Sequence, residues 1–289
     1  MIEVDPKRAP AEPRDAATVL VLRDAAGGGF EVFMVRRHGK SGFMAGAHVF
    51  PGGKLDDADR DPALLTRALG RSAEECAAAL GEDDAPTAAG LFAAAIRETF
   101  EEAGVLLAEG VEPAERPALH AAREALQRGE RTLLSVAEEL DLRPRFDALV
   151  PQARWITPVV EPRRYDTRFF LADAPPAQEA AHDRRETTAG EWLGPGAALD
   201  AEREGRISLP PPTYRTLQWL AEFDTADAAL AAARERTPPT LQPVFHDPGD
   251  GAFVLALPGD PLHPVSEPAF AGPTRFVLEK GRWWARDGR

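Results

Sequence analysis

Ile96-Arg97-Glu98-Thr99-Phe100-Glu101-Glu102-Ala103-Gly104-Val105 sets three carboxylates just ahead of a glycine. Thr87 to Ala103 reads as one long helix, and Gly104 reads as its C-cap. A helix turns about 100° per residue, so with Glu98 at zero, Glu101 lies at about −60° and Glu102 at about +40°. All three acids then share one face. Phe92, Ile96, Phe100 and Ala103 fall on the opposite side as a core stripe. One turn back, Ala94 and Ala95 lie under the acids. Their small side chains are expected to leave room for a bulky ligand.

This arrangement is costly without a partner. Like charges three and four positions apart repel by roughly 0.2–0.5 kcal/mol per pair. Glu101 and Glu102 also stand in the last turn, where the helix dipole disfavours anions. Arg97 is the one neighbour in sequence that offsets them. A divalent cation would do so more fully, and clustered hard oxygens are what Mg²⁺ or Mn²⁺ require. A plain solvated acidic face is the competing reading, and the surrounding sequence has to decide.

Upstream, Thr18–Leu22 and Phe30–Val35 read as strands joined by the glycine turn Ala25–Gly29, a hairpin pattern. His48-Val-Phe50 is a short strand running into Pro51-Gly52-Gly53. Helical patterns follow at Pro62–Leu69 and at Ala73–Leu80. The second has Ser72 as N-cap with Glu75 closing a capping box, and carries Cys76 as a packing residue. Downstream, helices are expected near 114–128, 132–140, 211–223 and 226–236, and strands at 153–159, 167–172, 191–193, 254–257 and 274–278. Strands and helices interleave without regular βαβ alternation, which suits a mixed sheet flanked by helices.

With this context the chain resembles the Nudix hydrolase family. The family signature is Gly, five residues, Glu, seven residues, then Arg-Glu-U-x-Glu-Glu-x-Gly-U, where U is apolar. Arg97, Glu98, Glu101, Glu102, Gly104 and Val105 match in register, and Thr99 takes the first apolar slot. Gly53 plus five residues leads to Asp59, a shorter stand-in for the expected Glu whose role stays open. Asp59 and Arg97 are separated by 37 residues instead of seven, an insertion of 30. Such a loop adds little closure entropy. The stretches 42–53, 155–158, 164–170, 191–193 and 209–212 are similar to the split-box Nudix subfamily, whose animal members include a peroxisomal coenzyme A diphosphatase. The C-terminal Arg-Asp-Gly-Arg289 is not a peroxisomal address.

The resemblance implies an α/β fold, a Nudix-like α/β/α sandwich around a mixed sheet. It divides the chain into a flexible tail over 1–15, a Nudix domain over 16–236 and a β-rich C-terminal extension over 237–289. The helical insertion at 60–90 lies inside the Nudix box. The resemblance further implies that Glu98, Glu101 and Glu102 hold Mg²⁺ or Mn²⁺, with the Gly52 carbonyl as a further ligand. Arg97 would orient a glutamate, and Glu98 is the first candidate for the base. Gly52, Gly53 and Gly104 are the box glycines, and Asp56, Asp57 and Asp59 are candidates for outer contacts. The implied reaction is metal-dependent hydrolysis of a diphosphate in coenzyme A or acyl-coenzyme A, giving 3′,5′-ADP and (acyl-)4′-phosphopantetheine. NADH or ADP-ribose is the alternative substrate, and a non-catalytic binding module is the alternative class. Retention of all three glutamates argues against the module.

Substrate phosphates need cations. Arg36 and Arg37 follow the second strand, and Arg164 and Arg168 cluster with Arg163 near another. Arginine forks suit phosphate, although each is equally readable as a surface residue, as are Arg184 and Arg185. His48, Trp155 and Tyr165 read as core. Leu64, Leu65, Leu69 and Leu80 of the insertion are expected to cap the substrate or form a homodimer contact.

Bulk properties set the outer bounds. Apolar residues make up 44% of the 289 and charged residues 28%, enough for a packed core in a globular protein. A net charge of −13 speaks against a nucleic-acid partner. No run of apolar residues is long enough for a membrane helix. The polar, proline-rich N-terminus does not read as a signal peptide. The single Cys76 fits a reducing compartment, with cytoplasm the expectation.

Overall fold

Alternate residues of the first strand, β1 (Arg14–Asp24), enter two different cores. Ala17, Val19 and Val21 face one helical layer, and Leu20 and Leu22 face another. Period-two alternation with both faces apolar places a strand in the middle of a three-layer sandwich. In the computed structural model the described residues are 11–38, 46–111, 116–176, 178–181, 187–249, 252–279 and 281–288.

Among these residues eight strands form the main sheet. They are β1, β2 (Phe30–Arg37), β3 (His48–Val49), β4 (Gly52–Lys54), β7 (Val150–Ile156), β8 (Tyr165–Asp173), β9 (Thr187–Leu193) and β10 (Thr240–Leu241). β5 (Ala108–Glu109) and β6 (Arg143–Pro144) pair separately. The central order is β10-β7-β8-β1-β2-β3, with β4 also on β1 and β9 also on β2. β1 runs parallel to β8, and β10 parallel to β7; the remaining pairs are antiparallel, so the sheet is mixed. The β1–β2 hairpin turns at Ala25–Gly29, where Gly28 and Gly29 take φ of 92° and 74°.

One layer holds α1 (Pro62–Arg67), α2 (Ala73–Leu80), α3 (Ala85–Ala103), α4 (Arg116–Gln127) and α5 (Leu133–Glu139). The other holds α6 (Pro195–Arg203), α7 (Pro211–Leu220) and α8 (Ala226–Arg234). The C-terminal segment adds a second antiparallel sheet of β11 (Val244–His246), β12 (Phe253–Ala256), β13 (Arg275–Glu279) and β14 (Arg282–Arg286). Its Leu255, Leu257 and Phe276 share the core of α7 and α8. The fold is an α/β/α sandwich.

Several boundaries and roles differ from the sequence reading. β1 begins at Arg14, so the expected tail to residue 15 is too long, and residues 1–10 lie outside the described part. The expected strand 153–159 starts earlier, at Val150, and ends at Ile156. α6 and β14 lie outside the elements expected from the sequence. Ala94 and Ala95 are fully buried in the core of the first layer, so they open no space for a ligand. The helix is covered by β-sheet on one side and by α1, α2 and α4 around it. Leu64 and Leu80 of the insertion are buried in that same core, and Leu65 packs against it. Three of the four leucines expected to cap the substrate or form a dimer contact are thus spent inside the subunit, and Leu69 is half-buried. Arg184 and Arg185, Gly42 to Ala45 and Arg289 lie outside the described residues.

Candidate active site

The box helix is fixed at both ends. Asp84 caps the start of α3 by accepting from the Thr87 N–H at 3.2 Å. Gly104 closes it at φ 71°, a left-handed conformation that glycine adopts without strain. Beyond it, two side chains of α4 bind the last turn. Arg123 donates through Nε to the Glu101 carbonyl at 3.0 Å and through Nη2 to the Glu102 carbonyl at 3.1 Å. Gln127 Nε2 donates to the Glu101 carbonyl at 2.6 Å. Four carbonyls at a helix C-terminus have no intrahelical donor, and a guanidinium there also offsets the negative end of the dipole. The sequence reading missed both residues. Their signal was only two long polar side chains at i,i+4 on an amphipathic helix.

Arg97 joins the two halves of the box. Its Nε and Nη2 donate to the two oxygens of Asp59 at 2.8 Å each, a bidentate pair. Nη2 also donates to the Lys54 carbonyl at 2.8 Å. Nη1 donates to Glu98 at 2.8 Å and to Glu101 at 3.1 Å. Asp59 is 1% exposed and Arg97 7% exposed, so the clamp is shielded from solvent. The Asp56 N–H donates to Asp59 at 2.9 Å, in a short 3-10 turn that begins at Asp57. Of the three aspartates only Asp59 is buried; Asp56 and Asp57 are open to solvent.

The glycines press against these acids. β4 pairs with β1 so that Gly52 stands opposite Thr18 and Gly53 opposite Ala17. The Val19 N–H donates to the Pro51 carbonyl at 2.9 Å. A Cβ at Gly53 would overlap the Glu98 carboxylate, and one at Gly52 would overlap the backbone of Ala17 and Thr18. The Gly52 N–H donates to Glu102 Oε2 at 2.9 Å. Thr99 is buried, and its hydroxyl donates to the Ala95 carbonyl at 2.7 Å, so a polar residue fits the apolar slot.

Electrostatics follow from this packing. Burial pushes the Glu98 carboxyl up to about 7, against the pull of Arg97, and nearby Glu101 adds to the rise. Burial also raises Glu101, again opposed by Arg97. For Arg97 itself burial disfavours the charge, but Asp59, Glu98 and Glu101 outweigh it and hold the guanidinium ionised. More negative charge is gathered here than one guanidinium balances.

The other expected contacts are not brought to this cluster. Arg164 is buried and donates to two main-chain oxygens, those of Thr157 at 3.0 Å and Ala11 at 2.8 Å. Arg168 is buried between Asp166 and Glu82, and Arg154 adds a 2.6 Å pair to Asp166. Arg164 is engaged by main-chain oxygens on either side of β8, and Arg168 ties β8 to Glu82 of the insertion, so neither is presented to the acid cluster as a phosphate contact. Arg36 is exposed and Arg37 half-buried at the end of β2, beside β3. His48 is buried, as expected of a core histidine, with Nε2 3.0 Å from Glu191. Burial lowers its pKa, against the effect of Glu191. Trp155 is buried in the second core and Tyr165 half-buried. Cys76 is fully buried, and burial pushes its thiol up to about 12.

Residues 76–220 match the family model of the NUDT19 Nudix domain. A relative from Gallus gallus is 31% identical, over 92% of this chain and 83% of its own. The chain belongs to the Nudix hydrolase family. The Gallus gallus protein is named acyl-coenzyme A diphosphatase NUDT19, as is one from Homo sapiens that is 30% identical over 81% of this chain and 72% of its own. A solved Nudix hydrolase from Alicyclobacillus acidocaldarius superposes with a TM-score of 0.62 at 29% identity, covering 76% of this chain and 96% of that one. As a Nudix hydrolase the protein is a diphosphatase of a class that generally uses divalent metal ions. The family match begins inside α2, after Gly53 and Asp59. The first half of the Nudix box is therefore joined to the second by the Arg97–Asp59 clamp and the β4–β1 register rather than by spacing.

Three carboxylates with hard oxygens, an excess of negative charge and a raised Glu98 suit a divalent cation. Among the described residues no three acids or imidazoles already stand in coordinating positions. The Arg97 guanidinium and the Gly52 N–H hold oxygens that a cation would share.

No helix among the described residues is long and apolar enough to cross a membrane.

Proposed function

We propose that this Nudix hydrolase cleaves the diphosphate of coenzyme A or acyl-coenzyme A, giving 3′,5′-ADP and (acyl-)4′-phosphopantetheine. The observation that carries the reading is the acid array of Glu98, Glu101 and Glu102, clamped by Arg97 and set against Gly52 and Gly53. Relatives bearing the name acyl-coenzyme A diphosphatase, matched over 83% and 72% of their own length, support the substrate.

Glu98, Glu101 and Glu102 would hold Mg²⁺ or Mn²⁺, with the Gly52 carbonyl as a further donor. Bound ions would neutralise the diphosphate oxygens and acidify a water. Arg97 keeps Glu98 and Glu101 in place by charge-assisted hydrogen bonds, and Asp59 keeps Arg97 in place. Glu98 accepts the proton of the attacking water. The water oxygen bonds to phosphorus and the bridging P–O bond breaks, so one water is added across the anhydride. Exposed Arg36 and neighbouring Arg37 are the remaining candidates for a substrate phosphate. The single, buried cysteine suits a reducing compartment, and we place the activity in the cytoplasm.

Coenzyme A, acetyl-coenzyme A, NADH and ADP-ribose, each with Mg²⁺, Mn²⁺ or EDTA, test the reading by mass spectrometry of the products. Metal-dependent release of 3′,5′-ADP, lost in Glu98→Gln and in Glu101→Gln/Glu102→Gln, is the expected result. Turnover of NADH or ADP-ribose alone would reject coenzyme A. Ligand binding without turnover of any of them would point to a binding module.

A further inference from the structure

The edge of the main sheet holds a cavity of about 430 Å³ between α2 and the C-terminal end of α8. It exists because β10 reaches β7 only at Arg154 and Trp155. Val150 and Pro151 at the start of β7 form its floor, and Pro151 sits at a register shift. A proline has no N–H to offer a further strand, so this edge cannot be extended.

Arg71, Arg234 and Arg236 line the cavity, with exposed Glu235 as the one carboxylate among its lining residues. Three arginines lining one cavity in a chain of net charge −13 run against the general field. Two of them are held in advance. Arg236 donates through Nη2 to the Gln152 carbonyl at 3.0 Å and stacks 4.4 Å from the Trp219 ring and 4.8 Å from the Phe270 ring. Arg71 lies 5.8 Å from the Phe92 ring. The Nε atoms of both Arg71 and Arg236 are buried and find no acceptor among the described residues. Buried N–H groups are nearly always satisfied, so both guanidinia are under-paired within the fold. Burial pulls the Arg236 guanidinium down to about 10, opposed only in part by Glu222.

We propose that this cavity is a second anion site, separate from the carboxylate centre, and that it takes an organic phosphate of nucleotide size. Arginine forks suit phosphate oxygens, and about 430 Å³ lies within the range of small-molecule sites. Val150 and Pro151 with Ala78 and Ala79 opposite give the non-ionic part an apolar surface. The site is not an arm of the substrate pocket. Gly53, in β4, pairs with β1 and so lies three strand spacings from β7 and about four residues along from Val150, a separation of roughly 20 Å. The diphosphate and the 3′-phosphate of coenzyme A hang on one ribose and cannot span that gap.

The test is calorimetric titration of the full chain with AMP and with inorganic phosphate, followed in parallel by tryptophan fluorescence, since Trp219 lies under Arg236. Saturable AMP binding is expected, weaker by at least tenfold in Arg71→Gln/Arg234→Gln and unchanged in Glu98→Gln. Ala78→Glu puts a carboxylate at an exposed position of the lining without touching the arginines, and should weaken binding equally. It decides the matter if the arginine variant melts early. No binding at millimolar AMP, or binding untouched by Ala78→Glu, would overturn the proposal. Inorganic phosphate binding as tightly as AMP would overturn the organic-phosphate assignment.

Discussion

Arg97 grips Asp59 through two hydrogen bonds of 2.8 Å, across 38 positions of sequence. The same guanidinium holds Glu98 and Glu101. An insertion of helices α1 and α2 therefore leaves the site intact, because the two halves of the box meet through a side chain rather than through the main chain.

Asp59→Ala is expected to destabilise the protein by about 3–5 kcal/mol, the cost of leaving one partner of a buried pair without the other. Denaturant unfolding measures the loss. Turnover should fall as well, since Arg97 would no longer be fixed. Asp59→Glu, which carries the family residue, should retain far more of both.

The two glycines separate activity from stability. Gly53→Ala meets only the end of the Glu98 side chain, which can turn away. Turnover should drop by roughly a hundredfold, with stability changed by about 1 kcal/mol or less. Gly52→Ala meets the backbone of Ala17 and Thr18. It should destabilise by about 1–3 kcal/mol, the usual range for overpacking. Kinetics beside thermal melting would show the contrast, and equal behaviour of the two variants would contradict it.

Arg123 positions the last turn of α3 by donating to the main-chain carbonyls of Glu101 and Glu102. Arg123→Met should lower kcat by roughly tenfold or more while KM holds, and cost about 1–2 kcal/mol. Arg123→Lys should restore part of kcat. A purely structural role would move the melting temperature and leave kcat alone.

Asp260 predicts a pH effect in the C-terminal sheet. Burial raises its pKa, but hydrogen bonds from Arg275 at 2.8 and 2.9 Å and from the Leu262 N–H outweigh burial, and the net shift is downward. A carboxyl whose folded pKa is depressed contributes stability above its unfolded pKa, about 3.9, and loses it as pH falls through the folded value. Asp260→Asn should therefore be less stable than the parent at pH 7, with the gap narrowing below about pH 4. Urea unfolding at several pH values checks this, and a gap independent of pH would rule it out.

The sequence by itself determined the parts that depend on local periodicity and spacing. The acid triplet, the Gly104 stop and the Ser72–Glu75 capping box all act within one or two helical turns, where a 3.6-residue repeat fixes which side chains meet. The central strands were legible for the same reason, because apolar residues run continuously where both faces are buried. Only the tertiary structure decided what lies far apart in the chain. Asp59 became the partner of Arg97 because β4 lies on β1 and brings the following turn against α3. Arg123 and Gln127 reached the last turn of α3 because α4 packs back on it. Arg164 and Arg168 looked like phosphate contacts, but strand pairing closed them among backbone and carboxylate partners. A charged side chain carries the same identity in either setting, and only the packing around it decides whether its charge is spent inside the fold or left for a ligand.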